Sequence, residues 1–145
     1  MRTYTFDTSV IIANQVRELP PNFLLSVVVI AELTAGSADD SIRKVYEAMR
    51  LEFARSNALI LPTSDDWLTA SRILFWLSQG RKKKGGGKAS KLIAGAHQRM
   101  FFDALIAVSA RRAGATLVTD NYTDFKAIQY YCPVKLIRGS EFFNT

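Results

Sequence analysis

The sequence predicts an α/β fold with a parallel sheet at its centre. Short apolar runs rich in β-branched residues alternate with segments of helical periodicity along the chain, and breaking residues separate many of them. The 145 residues suffice for one domain with its own core, and 48% hydrophobic with 22% charged residues are values typical of globular proteins. We therefore expect residues 1–145 to form a single domain.

In the first half of the chain, the sequence predicts three short strands and three helices. The strands are apolar runs at Thr3–Phe6, Phe23–Leu25 and Ala58–Leu61, with Pro20, Pro21 and Asn22 breaking the chain before the second. Each helix begins near a residue that can cap it: Thr8 or Ser9 for a short helix to Ala13, Ser26 for Val27–Ala35, and Asp39 or Asp40 for a long helix to Arg55. Gly36 ends the second of these helices.

In the second half, helices dominate. Thr63 or Ser64 is expected to cap a helix whose apolar face includes Leu68, Ile73, Phe75, Trp76 and Leu77. The remaining predicted elements are a short helix or turn at Leu92–Met100, a helix at Phe102–Ala113 closed by Gly114, a strand at Thr116–Thr119, a helical turn at Tyr122–Ala127 and a last strand at Val134–Ile137.

Several classes of protein are disfavoured by composition. No apolar run approaches the ~18 residues that span a membrane, and Asp7 interrupts the amino-terminal run before a signal peptide could form. Cys132 is the only cysteine and His97 the only histidine, which excludes an internal disulfide, a thiolate zinc site and a two-histidine mechanism. We expect a cytoplasmic protein.

The net charge of +6 comes from one segment. Between Trp67 and Phe102 there are eight bases and no acid, which leaves 11 bases against 13 acids in the rest of the chain. Residues 80–91 form the centre of this segment, and we predict a basic glycine-rich loop there. Such a loop can contact a phosphate backbone, although a solvated linker has the same composition. The candidate residues for contact with a nucleic acid are Arg81, Lys82, Lys83, Lys84, Lys88 and Lys91.

Acidic residues stand at positions where a carboxylate is costly. Asp7 ends an apolar strand, Glu32 lies within an apolar helix, and Asp103 opens another, whereas Asp120 and Asp124 follow a strand. A carboxylate beside a core is unfavourable unless something pairs with it, and a hard divalent cation such as Mg2+ or Mn2+ could pair with several at once. Each acid alone also has a structural explanation as a cap or turn residue, and Glu32 is the hardest to explain in that way.

Four segments together resemble a known family. They are residues 6–12 (FDTSVII), 26–33 (SVVVIAEL), 103–107 (DALIA) and 117–125 (LVTDNYTDF). In this order and at roughly these spacings, they resemble the PIN-domain ribonucleases, and within them the VapC-type toxins of bacterial toxin–antitoxin pairs. The resemblance extends over nearly the whole chain.

The resemblance implies a three-layer α/β/α sandwich and a Mg2+ or Mn2+ site built by Asp7, Glu32 and Asp103. The fourth carboxylate is expected to be Asp124, with Asp120 as the other candidate. Thr8, Ser9, Thr119 and Asn121 are the expected polar neighbours. The chain departs from the family at Phe102, where an asparagine is common.

The resemblance also implies partners, namely an antitoxin that covers the acidic site and a second copy in a homodimer. The helix that carries Leu74, Phe75, Trp76 and Leu77 has more apolar residues than one core-facing stripe requires, so part of it could meet such a partner. A completely buried helix would have the same pattern of apolar residues.

The resulting hypothesis is a metal-dependent endoribonuclease. A cation held by carboxylates can activate water and stabilise charge on a phosphodiester. Two alternatives stay open at this stage: a non-catalytic RNA-binding module with the same fold, and a metal-dependent nuclease or phosphatase that acts on DNA or on small phosphoesters. The basic segment favours a polymer but does not separate RNA from DNA.

Overall fold

The protein contains five parallel strands and seven helices in the residues that the structure describes. The structure is a computed structural model that describes residues 2–14, 19–84 and 95–144, with the backbone alone at residues 14 and 81–84. The strands are β1 (Thr3–Phe6), β2 (Leu25–Ser26), β3 (Leu59–Ile60), β4 (Ala115–Thr119) and β5 (Leu136–Arg138). The helices are α1 (Thr8–Asn14), α2 (Val27–Ala35), α3 (Asp40–Arg55), α4 (Ser64–Lys84), α5 (Ala96–Arg112), α6 (Tyr122–Gln129) and α7 (Gly139–Phe143).

Every strand pairing is parallel, as the sequence predicts. One sheet has the order β1-β4-β5, and β2 pairs with β3 in a second. A parallel bridge between Tyr4 and Phe23 joins the two, and the Leu24 amide donates a hydrogen bond of 2.8 Å to the Tyr4 carbonyl. The strands therefore follow one another in the order β3-β2-β1-β4-β5.

Burial along β4 shows that helices cover both faces of the sheet. Successive side chains of a strand point to opposite faces, and all five residues of β4 are buried. The core around β4 includes Phe6, Leu117 and Val118, none of which is exposed. The predicted α/β/α sandwich is thus confirmed. No helix in the described ranges has the length and apolar character needed to cross a membrane.

Element boundaries differ from the predictions in several places. The strand expected at Phe23–Leu25 lies at Leu25–Ser26, Ala58–Leu61 shortens to Leu59–Ile60, and Val134–Ile137 moves to Leu136–Arg138. Of the element expected at Leu92–Met100, residues 92–94 lie outside what the structure describes. Its remainder from Ala96 joins the helix expected at Phe102–Ala113 as one helix, α5, because no breaking residue interrupts Ala96–Arg112. Helix α7 has no counterpart among the predicted elements, and Tyr122–Ala127 extends to Gln129 as α6.

Helix α4 continues through the first part of the predicted basic loop. Residues 80–84 have helical backbone, since arginine and lysine are good helix formers and favour the carboxyl end of a helix. The loop prediction is wrong for those residues. The structure does not describe the candidate contacts of this segment: the side chains of Arg81, Lys82, Lys83 and Lys84, and the whole of Lys88 and Lys91.

The apolar face predicted for α4 is partly wrong. Ala70, Ile73 and Leu74 face the core, whereas Phe75 is 58% and Trp76 40% exposed. Leu68 is also exposed. Helical geometry explains the difference, because residues 70, 73, 74 and 77 share one stripe that leaves 68, 75 and 76 outside it.

Several helix caps agree with the sequence, and two do not. Asp39 caps α3 by accepting a hydrogen bond from the Ile42 amide, as predicted. Thr63 exchanges hydrogen bonds with Asp66 at the start of α4, again as predicted. The hydroxyl of Ser26 precedes α2 but makes no capping hydrogen bond. Asp7, and not Thr8 or Ser9, caps α1.

Candidate active site

The ends of β1 and β4 place Asp7 beside Thr119. These strands are neighbours with Phe6 opposite Val118, so the residues that follow them lie at the same edge of the sheet. Thr119 donates a hydrogen bond of 2.7 Å from its hydroxyl to Oδ2 of Asp7. Both side chains are buried, with 3% of Asp7 and none of Thr119 exposed. The strand register therefore fixes the position of this carboxylate.

Asp7 receives two further hydrogen bonds from its own helix. Its Oδ1 accepts from the Ser9 hydroxyl at 2.8 Å and from the Val10 amide at 3.1 Å. Burial raises the pKa of Asp7 above its ordinary value, although the three hydrogen bonds oppose the shift. The Asp120 charge raises it slightly more. The carboxylate is thus rigidly oriented but poorly solvated.

Glu32 enters the same region from α2. Its Oε1 accepts a hydrogen bond of 3.0 Å from the Thr8 hydroxyl. Burial raises the pKa of Glu32, and the charge of Asp7 adds to the increase. Thr8 therefore links this glutamate to the segment that carries Asp7.

Asp103 and Asp124 share a hydrogen-bond donor. The side-chain amide of Asn121 donates to Oδ2 of Asp124 at 3.0 Å and approaches Oδ2 of Asp103 at 3.4 Å. The Asn121 backbone amide in turn donates to the Thr119 hydroxyl at 2.9 Å. Asn121 thus connects the two outer carboxylates to the Asp7–Thr119 pair.

Asp103 shows the strongest electrostatic effect in this region. Burial, followed by the charges of Asp7, Glu32 and Asp124, raises its pKa to about 8, and Arg99 opposes the increase. At neutral pH this carboxyl therefore holds its proton unless a cation takes the proton's place. Four separate segments of the chain contribute to this one cluster.

A cavity of about 370 Å3, called here the acid cleft, contains the cluster. It is lined by Asp7, Thr8, Ser9, Glu32, Ala96, Arg99, Met100, Asp103, Asn121 and Asp124. The structure thus brings together most of the acidic and polar residues singled out in the sequence, and Thr119 lies directly behind them. Their roles as ligands or catalysts stay predictions.

Asp120 lies outside the acid cleft. Its side chain is exposed and packs against Gly139, where even a Cβ atom would overlap the carboxylate. Of the two acids considered for the fourth position, Asp124 is the one that lines the cleft.

Arg99 was not recognised from the sequence as a site residue. It stands four positions before Asp103, and this spacing places the two side chains on one side of α5. That spacing is the available indication in the sequence, where Arg99 is otherwise one of the eight bases of the basic segment. Arg99 lines the acid cleft and is exposed.

The donor set of the acid cleft fits a hard cation. Carboxylate oxygens are the ligands that Mg2+ and Mn2+ prefer, and burial together with three neighbouring carboxylates makes the ionised form of Asp103 unfavourable without a cation. Among the described residues, no group of three or more His, Cys, Asp or Glu side chains is arranged closely enough to hold a metal ion. Mg2+ needs only one or two carboxylates because it keeps several waters, so an open cleft suits it.

A second cavity, the apolar groove, adjoins the acid cleft. It measures about 810 Å3 and shares Glu32 and Arg99 with the cleft. Its other lining residues are Val27, Val28, Ala31, Ala35, Leu61, Pro62, Trp67, Gln98, Phe102 and Leu105.

Comparison with known proteins finds likeness at the level of structure alone. No protein-family model matches the sequence, and no curated protein matches it. DNA-bound VapBC from Salmonella typhimurium is 15% identical, with a TM-score of 0.56 over 96% of this chain and 99% of the compared chain. VapBC-1 from nontypeable Haemophilus influenzae is 24% identical, with a TM-score of 0.56 over 95% of this chain and 98% of the compared chain.

FitAB bound to an IR36 DNA fragment is a third similar structure. It is 17% identical, with a TM-score of 0.57 over 94% of this chain and 95% of the compared chain. At these identities the likeness establishes the fold and leaves activity open. The chain therefore has a PIN-like fold, the α/β/α sandwich around a parallel sheet that its sequence predicts.

Proposed function

We propose that this protein is a metal-dependent endoribonuclease and the toxin of a toxin–antitoxin pair. The observation that carries the proposal is the meeting of Asp7, Glu32, Asp103 and Asp124 in one cleft. Carboxylates are not gathered in this way for stability, because their burial and mutual repulsion raise the pKa of Asp103 to about 8. A cation offsets that cost, and hydrolysis of a phosphodiester can use one.

The chain's own residues would orient the four acids around Mg2+ or Mn2+. Bound there, the ion would supply an activated water and positive charge beside the phosphate. Three hydrogen-bond donors hold Asp7, while Thr8 holds Glu32. Asn121 supports Asp103 and Asp124 from one side. Such supporting contacts keep ligands in place and tune how tightly they bind.

The choice of RNA as substrate rests on two supports. The cationic residues between Trp67 and Phe102 suit a polyphosphate chain better than a small ester. The resemblance of the four sequence segments to PIN-domain ribonucleases favours RNA over DNA.

An antitoxin is the proposed protein partner. The similar structures are assemblies named VapBC and FitAB, and the acid cleft is the reason to assign this chain to the toxin side of such a pair. The apolar groove would receive the partner's apolar side chains, and a basic side chain could then reach Glu32 in the neighbouring cleft. A homodimer is proposed from the resemblance, and the exposed Phe75 and Trp76 offer apolar surface for it.

The partner proposal has a direct test. Ala35 lines the apolar groove and Ala38 lies outside it, and both are exposed. Co-expression with the protein encoded beside this one should yield a stable complex that Ala35→Glu weakens and Ala38→Glu leaves intact. Equal complex formation by both variants would place the partner elsewhere.

The nuclease proposal is tested by cleavage of a mixed RNA pool with Mg2+, with Mn2+ and with EDTA. Wild type should cut only with metal, and Asp7→Asn should not cut. Asparagine is also a good helix cap, so this variant keeps the hydrogen bond to the start of α1. Asp65→Asn, an exposed acid in the first turn of α4, is the matched control and should cut like wild type.

Two results would contradict the proposal. Cutting that persists in EDTA would exclude the metal site, and cutting by Asp7→Asn at the wild-type rate would exclude the acid cleft. Metal-dependent cutting of DNA in place of RNA would favour the alternative nuclease, and RNA binding without cutting would favour a binding module.

A further inference from the structure

Among the described residues that line the acid cleft, Arg99 is the one base. Helix α5 places it one turn before Asp103, on the side of the helix that also presents Ala96 and Met100 to the cleft. The ion pairs among the described residues are formed by Arg43, Lys44 and Arg112. Within that part of the chain, Arg99 therefore faces four carboxylates without forming an ion pair with any of them.

A role as a simple counter-ion does not explain this arrangement. Residues four apart on a helix can pair, so Arg99 could form an ion pair with Asp103. No such pair forms among the described side chains. Within the described part of the chain, the guanidinium donors therefore have no carboxylate partner and are available to another anion.

A phosphate is the anion that this position suits. Four carboxylates repel a phosphodiester that enters the cleft, and a divalent cation offsets only part of that repulsion. A guanidinium presents a planar fork of donors that matches two phosphate oxygens, and Arg99 lines both the acid cleft and the neighbouring apolar groove. It can therefore hold a phosphate at the edge of the cluster.

We infer that Arg99 binds a phosphate of the RNA backbone and positions it against the carboxylates of the acid cleft. This inference rests on the proposed function and names a residue that helps to place the substrate. The single-stranded backbone would be held by Arg99 within the cleft, independently of the cationic side chains at 81–91.

Binding measured without cleavage tests the inference. In an Asp7→Asn background, the Kd for a short single-stranded RNA is measured over a range of salt concentrations. Adding Arg99→Gln should raise Kd about tenfold or more, because a charge-assisted hydrogen bond is lost. It should also reduce the slope of log K against log salt by about 0.7.

Two variants separate charge from geometry and from general basicity. Arg99→Lys should keep the salt slope but recover only part of the affinity, since an ammonium lacks the bidentate fork. Arg111→Gln removes the same residue type from the exposed carboxyl-terminal part of α5, away from the cleft, and should bind like the background protein. Equal weakening by Arg99→Gln and Arg111→Gln would overturn the inference.

Metal affinity provides the second readout. Mn2+ titrated into otherwise wild-type Arg99→Gln should bind as tightly as in wild type or more tightly, because a like charge has been removed. Weaker Mn2+ binding with unchanged RNA affinity would mean that Arg99 organises the acids, and would overturn the phosphate role.

The same experiments distinguish this inference from the nuclease proposal. If wild type cleaves RNA and Arg99→Gln binds it with unchanged Kd, the phosphate role fails while the nuclease stands. If no form cleaves RNA but binding depends on Arg99, the nuclease fails while the phosphate role stands.

Discussion

The hydroxyl of Thr119 donates a 2.7 Å hydrogen bond to Oδ2 of Asp7 across two neighbouring strands. Thr119→Val keeps the shape of this buried side chain and removes the donor. We expect the pKa of Asp7 to rise further, the protein to lose about 1–3 kcal/mol of stability, and Mn2+ to bind about tenfold more weakly. Thermal unfolding would measure the change in stability, and calorimetric titration would measure the change in Mn2+ affinity.

Thr5→Val is the matched control for that substitution. Thr5 is also a fully buried strand threonine, but its hydroxyl has no hydrogen-bond partner in the described part of the chain. Removing it should leave Mn2+ binding unchanged and should preserve or increase stability. An equal loss of Mn2+ affinity in both variants would show that the Asp7–Thr119 contact is unimportant.

Asp103 should make the metal-free protein less stable as the pH rises. Its pKa is about 8 in the folded protein against 3.8 for an ordinary aspartate. The folded state therefore holds an extra proton between these values, and its stability falls through that window. Asp103→Asn cannot ionise at this position. The melting temperature of the variant minus that of wild type should therefore increase from pH 4 to pH 8, by at least about 3 °C.

The comparison is made in EDTA at several pH values, with Asp65→Asn as the control for losing an exposed acid. A difference in melting temperature between wild type and Asp103→Asn that stays constant from pH 4 to pH 8 would contradict the raised pKa of Asp103. Cleavage should be absent in Asp103→Asn at every pH, so this variant separates stability from activity.

Divalent cations should stabilise the folded protein through Asp124 and not through Asp120. A ligand present at 100 times its Kd stabilises by about 2.7 kcal/mol. We expect Mn2+ to raise the melting temperature of wild type and of Asp120→Asn alike, and to do so much less for Asp124→Asn. If Mn2+ stabilised Asp120→Asn less than Asp124→Asn, Asp120 and not Asp124 would be the cation ligand.

The cations at the end of α4 should contribute affinity for RNA without sequence preference. Changing Lys82, Lys83 and Lys84 together to glutamine should weaken binding and lower the slope of log K against log salt by about 2. A triple variant at Lys44, Arg55 and Lys135, which are exposed elsewhere, should retain most of the slope. Equal slopes for wild type and the Lys82–Lys84 variant would show that these lysines at the end of α4 do not contact RNA.

Residues whose chemistry conflicts with their surroundings could be found from the sequence. Asp7 and Glu32 interrupt apolar segments, and the apolar run that ends at Asp7 is enough to place this acid at a sheet edge. The parallel sheet followed from the alternation of strands and helices. The position of each acid depends on its immediate neighbours in sequence, and each strand or helix on a pattern within roughly 11–18 residues.

Features that depend on distant contacts could not be found in the same way. Asp120 and Asp124 both follow β4 closely in sequence, and only the turn of α6 decides that Asp124 faces the cleft. Arg99 looks like one more base among eight until α5 sets it beside Asp103. The sequence likewise does not predict which side of α4 is exposed. Apolar residues occur all around this helix, and its packing against the core determines which of them are buried.

The pairing of β1 with β4 also determines when the acid cleft can exist. Asp7 is made more than a hundred residues before Thr119 and Asp124. A nascent chain that stops before β4 lacks both the strand that aligns Asp7 and the acid that completes the cluster. Synthesis itself therefore keeps the four carboxylates apart until β4 and α6 have been made, and contacts of such long sequence separation form slowly.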